Sequence, residues 1–389
     1  MAKRIKREAV IVSAVRSTVG RAKRGALVNV RPEDLGTLVI RELMKRTPGL
    51  PPDQVDDVII GCAMPEGAQG MNLGRVVAFM AGLPDSVPGL TVNRFCSSGL
   101  QTIAYGAWQI LAGASDVVIA GGIESMSSVP MGGFNFTSNL TAVRENVAIY
   151  TPMGLTAELV ADKFGITREM QDEFAYNSHM KAAKAWAAGV YNDEIVKVPY
   201  VDAEGRQRLL EQDESVRADT TIEGLAKLKP AFKQTGSVTP GNSSPINDGA
   251  AVVMMMSLGK AEELGLKPLA FFRDFQVAGT PPEIMGVGPA YAIPKLWKHS
   301  GISDKKIGRY EVNEAFASQA RYCVETLKLD PAKVNVNGGA IALGHPLGCT
   351  GAKLTTSLVY EMQRTRTRYG VVSMCIGGGM GAAGLFELA

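Results

Sequence analysis

The 389-residue sequence is poor in several residue types, and each shortage excludes a class of protein. Aromatic residues make up 6% of the chain, too few for the stacking surfaces that bind single-stranded nucleic acid. The formal net charge of +3 is too small to indicate a polyanionic partner. No apolar run approaches the roughly 20 residues that a membrane-spanning helix needs. We therefore expect a protein that binds no nucleic acid and has no membrane span.

Cysteine and histidine are also scarce. The five cysteines, at positions 62, 96, 323, 349 and 375, form neither a disulfide framework nor a CxxC metal pattern, and the three histidines, at positions 179, 299 and 345, are far apart. The sequence thus predicts no metal site, and the cysteine pattern favours a reducing cytoplasm. The basic start, with Lys3, Arg4 and Lys6, resembles a signal peptide, but Arg16 interrupts its apolar part and no convincing cleavage site follows. We expect residues 9–15 to form the first strand instead.

Glycine, by contrast, is abundant, with 43 residues, and the clearest pattern in the chain is an internal repeat. Two segments present the same alternation of strand and helix patterns, the first beginning at "AVIVSAV" and the second at "LAFFRDFQVAG". In each, a predicted strand, "GLTVNRF" or "KVNVNGG", comes before a long helix that opens on small residues, and the next strand ends in Gly-Gly. Such alternation predicts an α/β fold of two similar halves, each with a parallel sheet covered by helices.

Between the halves the pattern changes to loops and short, charged helices, which indicates an insertion and not a third sheet. We place the N-terminal half at residues 1–122, the insertion at 123–244 and the C-terminal half at 269–389. Residues 245–268 complete the N-terminal half, because "AAVVMMMS" predicts a strand that closes it as "AAGLFELA" closes the other half.

Two cysteines lie where a thiol could be more than a small core residue, which is the usual role of an isolated cysteine. Cys96, in "VNRFCSSGLQT", lies where a strand leads into a helix, and free amides and the helix dipole there would stabilise a thiolate and lower its pKa. Cys375 ends a predicted strand and precedes "IGGGMG", a backbone that can approach a ligand and offer N–H groups to an oxyanion. The remaining cysteines are expected to be core residues: Cys62, Cys323 and Cys349.

Asn313 and His345 are the other candidates for chemistry. Asn313, in "YEVNEAFASQ", lies at a strand end and helix start, where an asparagine is most often a helix N-cap. His345, in "NGGAIALGHPLGCTG", follows the predicted strand "KVNVNGG", and a lone buried histidine is more often structural. In parallel α/β folds, however, ligands bind beyond the carboxyl ends of strands. Because Cys96, Cys375, Asn313 and His345 all lie at such ends, we expect them to converge on one site.

These stretches resemble the motifs of one family, the thiolases, along essentially the whole chain. "NRFCSSGLQT" is similar to the acyl-cysteine motif, "NEAF" to the asparagine motif, "GGAIALGHPLGCTG" to the histidine motif and "CIGGGMGAAG" to the second-cysteine motif, in the order of the family. The resemblance implies a thiolase-like fold, with two related βαβαβ-type halves, helix layers and an inserted loop domain that binds coenzyme A.

The resemblance also implies an activity, that of an acetyl-CoA C-acyltransferase of fatty-acid β-oxidation, which cleaves 3-ketoacyl-CoA with coenzyme A. Cys96 would be the nucleophile, deprotonated by His345, and Cys375 would protonate the acetyl-CoA enolate and then deprotonate coenzyme A. One oxyanion hole would combine His345 with a water positioned by Asn313, and the other the N–H groups of Cys96 and Gly377. Coenzyme A is then a substrate, and no resident cofactor is expected.

Three substrate contacts follow from the same resemblance. Arg217, in "DESVRADTT", and Ser244, in "TPGNSSPINDGAA", would contact coenzyme A, and Met153, in "PMGLTAE", would border the acyl pocket. A solvated arginine, a turn serine and a core methionine are the ordinary alternatives. Pro152 stands where the short-chain, acetoacetyl-CoA type carries histidine, which favours the degradative, broad-chain members. Pro245 stands where glycine is common in the pantetheine site.

Other functions remain open on the sequence. The nearest alternative activity is that of an acetoacetyl-CoA thiolase, or acetyl-CoA C-acetyltransferase, working toward condensation. A decarboxylating ketoacyl synthase of the same fold would need a second residue, often histidine, in place of the acid cysteine. This function is disfavoured, because His179 and His299 lie in helices without matching motifs. A non-catalytic acyl-CoA or lipid-binding protein with this fold would not need both cysteines. For an enzyme of this family the partners are 3-ketoacyl-CoA, coenzyme A and acetyl-CoA, and we expect a homodimer or homotetramer.

Overall fold

The computed structural model describes residues 7–389, so Lys3, Arg4 and Lys6 of the signal-like start lie outside the described part of the chain. The strands are β1 (Ala9–Ser17), β2 (Gly20–Arg21), β3 (Asp57–Gly61), β4 (Gly89–Val92), β5 (Val117–Ser125), β6 (Ile195–Val196), β7 (Val198–Val201), β8 (Gln207–Leu210), β9 (Asn247–Ser257), β10 (Ala270–Gly279), β11 (Arg309–Val312), β12 (Tyr369–Ile376) and β13 (Met380–Leu388). The α-helices are α1 (Pro32–Lys45), α2 (Leu73–Ala81), α3 (Ser98–Ala112), α4 (Leu140–Asn146), α5 (Met153–Phe164), α6 (Arg168–Ala187), α7 (Ile222–Ala226), α8 (Leu258–Glu263), α9 (Gly288–Ser300), α10 (Ala317–Thr326), α11 (Ala340–Leu343) and α12 (Leu347–Thr365). None of these helices is long and apolar enough to cross a membrane.

The α/β fold of two related halves is confirmed. A mixed sheet runs in the order β11-β12-β13-β10-β1-β9-β5-β3-β4, with β2 and β6 paired beside this path. β9 lies between β1 and β5, and β13 lies in the same way between β10 and β12. The two closing strands predicted from the repeat are therefore confirmed, and so is the first strand, β1.

The expectation of one parallel sheet in each half is wrong in two respects. The closing strands run antiparallel to both neighbours, β9 to β1 and β5, and β13 to β10 and β12. The halves also share one sheet, because β1 pairs antiparallel with β10 at Val10 and Phe271 and at Ile11 and Ala270. The turn between β12 and β13 spans only residues 377–379, and so short a connection can join only antiparallel strands.

The strand predicted at "KVNVNGG" is also wrong. In the described chain a single isolated bridge pairs Val334 with Tyr310, and Asn335 then takes a left-handed φ of 45° that ends the extended conformation. The side chain of Asn335 bonds the backbone of Val312 instead, accepting from its N–H at 2.8 Å and donating to its C=O at 2.8 Å. The strand that would correspond to β4 is therefore reduced to this bridge, and His345 follows the short helix α11.

Helices α3 and α12 pack against each other and share one hydrophobic core with strands of both halves. Glycine allows their close contact, since a Cβ on Gly99 would lie 2.8 Å from the nitrogen of Ala352 and one on Gly351 2.4 Å from the nitrogen of Leu100. α1 and α2 cover the other face of the N-terminal half, and α9 covers that of the C-terminal half. The contact of α3 with α12 brings together the two loops that precede them.

The segment between β5 and β9 is more regular than the sequence pattern indicates. α6 has 20 residues, and β7 and β8 form a separate two-stranded sheet, so the expectation of only short helices and no further sheet is wrong. β6 pairs parallel with β1, and the buried guanidinium of Arg16 in β1 binds the carboxylates of Glu194 and Asp213. These contacts attach the segment to the main sheet.

Candidate active site

Cys96 lies in a tight turn, Phe95–Ser97, that joins β4 to α3. Phe95 has a left-handed φ of 42°, a costly conformation for a residue with a side chain. Ser98 closes the turn, since its hydroxyl accepts from the N–H of Arg94 at 2.8 Å and donates to the C=O of Phe95 at 2.7 Å. Cys96 is thereby held, buried, at the start of α3.

Burial decides the ionisation of the Cys96 thiol. Burial raises the pKa of Cys96 to about 12, although the N–H groups of Gly377 and of Cys96 itself act in the opposite direction. The expected lowering of this pKa at the helix start is therefore wrong, and the thiol needs a base at neutral pH. The same contacts place the sulfur beside both N–H groups that were predicted to form an oxyanion hole.

Cys375 lies at the end of β12, fully buried. Burial raises the pKa of Cys375 well above its ordinary value, and the nearby sulfurs of Cys96 and Cys323 raise it further. Its S–H donates to the side-chain oxygen of Gln319 at 3.8 Å, and that oxygen also accepts the N–H of Ala315 at 3.0 Å. Because the Gln319 oxygen accepts the S–H, it favours the protonated form of the Cys375 thiol. No motif in the sequence pointed to Gln319.

Gly377 and Met153 lie next to each other near the candidate thiols. A Cβ on Gly377 would lie 3.6 Å from the sulfur of Met153 and 3.7 Å from the ring of Phe95. Met153 opens α5 and packs against a hydrophobic cluster that includes Cys375 and Phe316. The methionine predicted to border the acyl pocket is therefore in contact with the candidate catalytic residues.

His345 is buried, and its hydrogen bonds fix which ring nitrogen carries a proton. Nδ1 lies 2.6 Å from the hydroxyl of Thr350, and that hydroxyl donates its one proton to the C=O of Pro346 at 2.9 Å. Nδ1 must therefore carry the hydrogen, which leaves a lone pair on Nε2. Burial lowers the pKa of His345 to about 3, and the charge of Lys353 acts in the same direction. The ring is neutral at physiological pH.

Asn313 is a partner of His345 and not a helix cap. α10 begins four residues later, with Phe316 at its N-cap, so the alternative of an N-cap at Asn313 is excluded. Its side-chain nitrogen lies 3.3 Å from Nε2 of His345, and its side-chain oxygen is buried and makes no hydrogen bond within residues 7–389. In the same range no hydrogen bond joins the His345 ring to Cys96 or Cys375.

A buried carboxylate that the sequence analysis missed ties the histidine loop to the N-terminal half. Glu124, at the end of β5, accepts the N–H of Gly348 at 2.8 Å and that of Ala63 at 2.7 Å. Leu347, next to Gly348, belongs to one hydrophobic cluster with Cys96. Burial raises the pKa of Glu124, and its amide partners counteract that rise. The sequence feature that could have identified Glu124 is an acidic residue directly after "GGI" in an apolar strand.

A cleft of about 610 Å³ is lined by both predicted coenzyme A contacts, Arg217 and Ser244. Its wall includes Phe232, whose ring lies so close to the backbone of Gly154 that a Cβ there would be 2.1 Å from it. The same ring meets that of Phe316 edge-on, with 6.0 Å between centroids. Because Gly154 follows Met153 and Phe316 packs near Cys375, the cleft adjoins the buried thiols.

The sequence matches two family profiles that together span nearly the whole chain. They are described as thiolase, N-terminal domain, over residues 9–259, and thiolase, C-terminal domain, over residues 266–388. The chain belongs to the thiolase family. The resemblance inferred from the four motifs is confirmed.

This thiolase has similar relatives in bacteria and animals. It is 54% identical over 390 residues to the 3-ketoacyl-CoA thiolase of Bacillus subtilis (strain 168), with 98% of the chain and 100% of the relative covered. It is 48% identical over 386 residues to the peroxisomal 3-ketoacyl-CoA thiolase of Homo sapiens, with 98% and 91% covered. The crystal structure of the Bacillus anthracis acetyl-CoA acetyltransferase matches it with a TM-score of 0.90 at 43% identity, covering 99% of each chain. The thiolase-like fold is confirmed.

A second buried carboxylate holds the histidine loop of this thiolase from its other side. Glu314, next to Asn313, accepts from the hydroxyl of Ser178 at 2.6 Å, the amide of Asn335 at 2.8 Å and the N–H of Ile341 at 3.3 Å. The loop between α10 and α12 is therefore fixed at both ends by carboxylates. The arrangement brings together two protonated thiols, a neutral imidazole and the N–H groups of Cys96 and Gly377.

Proposed function

We propose that this thiolase is an acetyl-CoA C-acyltransferase that cleaves 3-ketoacyl-CoA with coenzyme A into acetyl-CoA and a shortened acyl-CoA. The observation that carries the proposal is the meeting of two buried thiols, Cys96 and Cys375, beside the amide of Gly377. The names of the relatives from Bacillus subtilis and Homo sapiens support this substrate class. Such a cleavage belongs to fatty-acid β-oxidation.

In the first half-reaction Cys96 becomes acylated. Nε2 of His345 accepts the proton of the Cys96 thiol, and the thiolate attacks the 3-keto carbon. The N–H groups of Cys96 and Gly377 stabilise the negative oxygen that forms there. The bond between carbons 2 and 3 breaks, its electron pair forms the acetyl-CoA enolate, and the S–H of Cys375 protonates carbon 2. The protonated His345 and a water held by Asn313 bind the enolate oxygen.

In the second half-reaction coenzyme A removes the acyl group. The Cys375 thiolate left by the first step takes the proton of the coenzyme A thiol, which attacks the thioester carbon. The bond from that carbon to the Cys96 sulfur breaks, the leaving thiolate takes back the proton from Nε2 of His345, and the shortened acyl-CoA leaves. Throughout, Arg217 and Ser244 would bind coenzyme A in the cleft, and Met153 would border the acyl chain.

A thiolysis assay over a panel of chain lengths tests this function. Addition of coenzyme A to a medium-chain 3-ketoacyl-CoA should remove the absorbance of the substrate enolate, with a higher kcat/KM than for acetoacetyl-CoA. No loss of absorbance with any chain length would overturn the proposed activity and leave the non-catalytic acyl-CoA-binding alternative.

A second candidate is an acetyl-CoA C-acetyltransferase that condenses two acetyl-CoA molecules. It is favoured by the high similarity to a solved structure of that name. Pro152, at the N-cap of α5 beside Met153, argues for the broad-chain enzyme, because a histidine is usual at this position in the four-carbon type. A strong preference for acetoacetyl-CoA in the same panel would select the second candidate.

We also propose that the enzyme is a homodimer or homotetramer. Large apolar side chains are exposed on the described chain, and a protein surface rarely leaves so many uncovered. They include Met71, Phe79, Phe134, Phe136 and Leu140. β4 ends the main sheet as an edge strand, which is a natural site for pairing with a second copy. Light scattering after size-exclusion chromatography would contradict the proposal by giving the mass of one chain.

The cytoplasm is the compartment we propose. All five cysteines, which lie within residues 7–389, are unpaired and buried there, and unpaired thiols suit a reducing compartment. Fractionation of the cells that make the protein tests this.

A further inference from the structure

The cleft that holds Arg217 contains two more arginines from a distant part of the sequence. Arg21, in β2, and Arg24, in the loop after it, line the same cleft as Arg217. The one acidic side chain that lines the cleft within residues 7–389 is Asp219. The lining therefore has an excess of positive charge, together with the hydroxyl of Ser244.

These arginines form no salt bridge within the described residues. None of Arg21, Arg24 and Arg217 has a carboxylate within salt-bridge distance in residues 7–389, whereas the surface arginines Arg206 and Arg208 both pair with Asp202. Their guanidinium groups also influence one another. Burial lowers the pKa of Arg21, the charges of Arg217 and Arg24 lower it further, and Glu214 raises it, so both arginines lie close enough to repel the charge of Arg21. An anion placed among them would relieve that repulsion.

The loop that carries Arg21 and Arg24 is held in shape by a carboxylate that is directed at its backbone. Glu214 accepts the N–H of Arg21 at 2.7 Å and the N–H of Ala26 at 2.8 Å, so its oxygens bind amides and not the guanidinium groups. Gly25 is required at this bend, because a Cβ there would lie 2.5 Å from the backbone oxygen of Arg21 and 2.7 Å from its nitrogen. The backbone that carries Arg21 and Arg24 is thus fixed, while their guanidinium groups remain available to bind a ligand.

Arg217 is held from the other side of the cleft. Its N–H donates to Nδ1 of His179 in α6 at 3.3 Å, and its C=O accepts from the hydroxyl of Thr220 at 3.0 Å. Burial lowers the pKa of His179 to about 4, so this ring is a neutral acceptor at physiological pH. Both the loop of Arg21 and the loop of Arg217 are therefore fixed before any ligand binds.

We infer that Arg21 and Arg24 form, with Arg217, a phosphate-binding site, and that its ligand is the phosphate groups of coenzyme A. This inference rests on the proposed function, and it adds two residues that no motif of the chain pointed to. Guanidinium groups match phosphate oxygens in geometry and charge, and preorganised donors bind with the smallest loss of side-chain freedom. The pantetheine arm would then extend past Ser244 toward the buried thiols.

Thiolysis with two acceptor thiols tests the site. Coenzyme A carries the phosphates, and pantetheine has the same thiol arm without them. We expect Arg21→Gln and Arg24→Gln each to raise the KM for coenzyme A by about tenfold, the value of one charged hydrogen bond, and the double variant to raise it further. kcat and the KM for pantetheine should stay within about twofold of wild type, because the reacting atoms are untouched. Arg366→Gln, at an exposed arginine on the loop before β12, is the matched control and should change neither KM.

Two results would overturn the inference. One is an unchanged KM for coenzyme A in both single variants. The other is an equal rise for coenzyme A and pantetheine, which would mean that the arginines shape the cleft and bind no phosphate. Failure of the proposed function looks different, because wild-type protein would then show no thiolysis with either thiol. Repeating the comparison with 3′-dephospho-coenzyme A shows which phosphate each arginine binds.

Discussion

The two halves of this thiolase share a strand order but differ in how their strands are connected. In the N-terminal half the edge strand β4 is complete and leads through the strained turn at Phe95 to Cys96. In the C-terminal half the corresponding strand is reduced to a bridge at Val334, and a loop with His345 replaces it. Equivalent places in the fold therefore lead to Cys96, the proposed nucleophile, in one half and to His345, its proposed base, in the other.

The connections to the closing strands differ even more. Residues 126–246 lie between β5 and β9 and contain Arg217 and Ser244, whereas residues 377–379 alone join β12 to β13 and contain the amide of Gly377. The repeated scaffold places Cys96 and His345 near strand ends, whereas the unequal connections carry the proposed coenzyme A contacts in one half and the amide of Gly377 in the other. Substitutions at matched positions of the two halves should therefore have very unequal effects.

Cys96→Ala should have the largest effect. Without a nucleophile no acyl-enzyme forms, so thiolysis should fall by about 10⁴-fold or more while the circular dichroism spectrum is unchanged. Cys323→Ala removes an equally buried thiol of the C-terminal half that has no proposed role, and it should keep near-normal kcat. Comparable losses in the two variants would contradict the assignment of the nucleophile.

His345→Ala should have the second-largest effect and lower kcat/KM by about 10³-fold. The Cys96 thiol, whose pKa is raised, would then lack the base that it needs at neutral pH. The fold should persist, as measured by thermal unfolding. His299→Ala, at a largely exposed histidine, is the control and should be close to wild type. Acylation at the normal rate in His345→Ala would mean that this histidine is structural.

Thr350→Val should have an intermediate effect. It removes the oxygen that holds the proton on Nδ1 of His345, so the ring can place its proton on Nε2 and lose its basic lone pair there. We expect kcat to fall by about tenfold to a hundredfold with little change in KM, as for other residues that orient a catalytic imidazole. Thr350→Ser, which keeps the hydroxyl, should recover most of the activity, and an equal loss in both variants would contradict this role.

His345→Asn should also change a property other than activity, the pH dependence of stability. The unfolded chain protonates this histidine below its ordinary pKa of about 6.5, whereas the folded chain does so only near pH 3, so the unfolded state binds more protons in that window. Stability from this group is complete above pH 6.5 and is lost as the pH falls toward 3. Urea unfolding should therefore show a weaker loss of unfolding free energy on acidification in His345→Asn than in wild type. His179, whose pKa is about 4, is present in both proteins. Identical slopes would contradict the burial of a neutral His345.

The sequence was sufficient for the repeat and for the positions of the main site residues. Cys96, Asn313 and His345 each follow a strand or its remnant, and Cys375 lies at the end of β12. The structure places Asn313 beside His345 and Cys96 beside Cys375. Motif and strand-end position agree because ligand contacts in such folds come from strand ends. Their catalytic roles stay predictions.

Other features depend on contacts that no local pattern contains. The pKa of Cys96 is raised because distant residues bury it, although its local position at a helix start predicts the opposite. The strand predicted at "KVNVNGG" fails at Asn335, whose side chain bonds a neighbouring strand in place of the backbone. Glu124 and Arg21 lie far from the motifs in sequence and meet the site only through the fold.

The most direct test of the central claim is mass spectrometry of the intact protein after brief mixing with a 3-ketoacyl-CoA and no free coenzyme A. We predict a mass increase equal to the shortened acyl group, located on the peptide that contains Cys96, and its removal when coenzyme A is added. An active enzyme that shows no adduct, or carries the adduct on Cys375, would contradict the division of roles between the two halves.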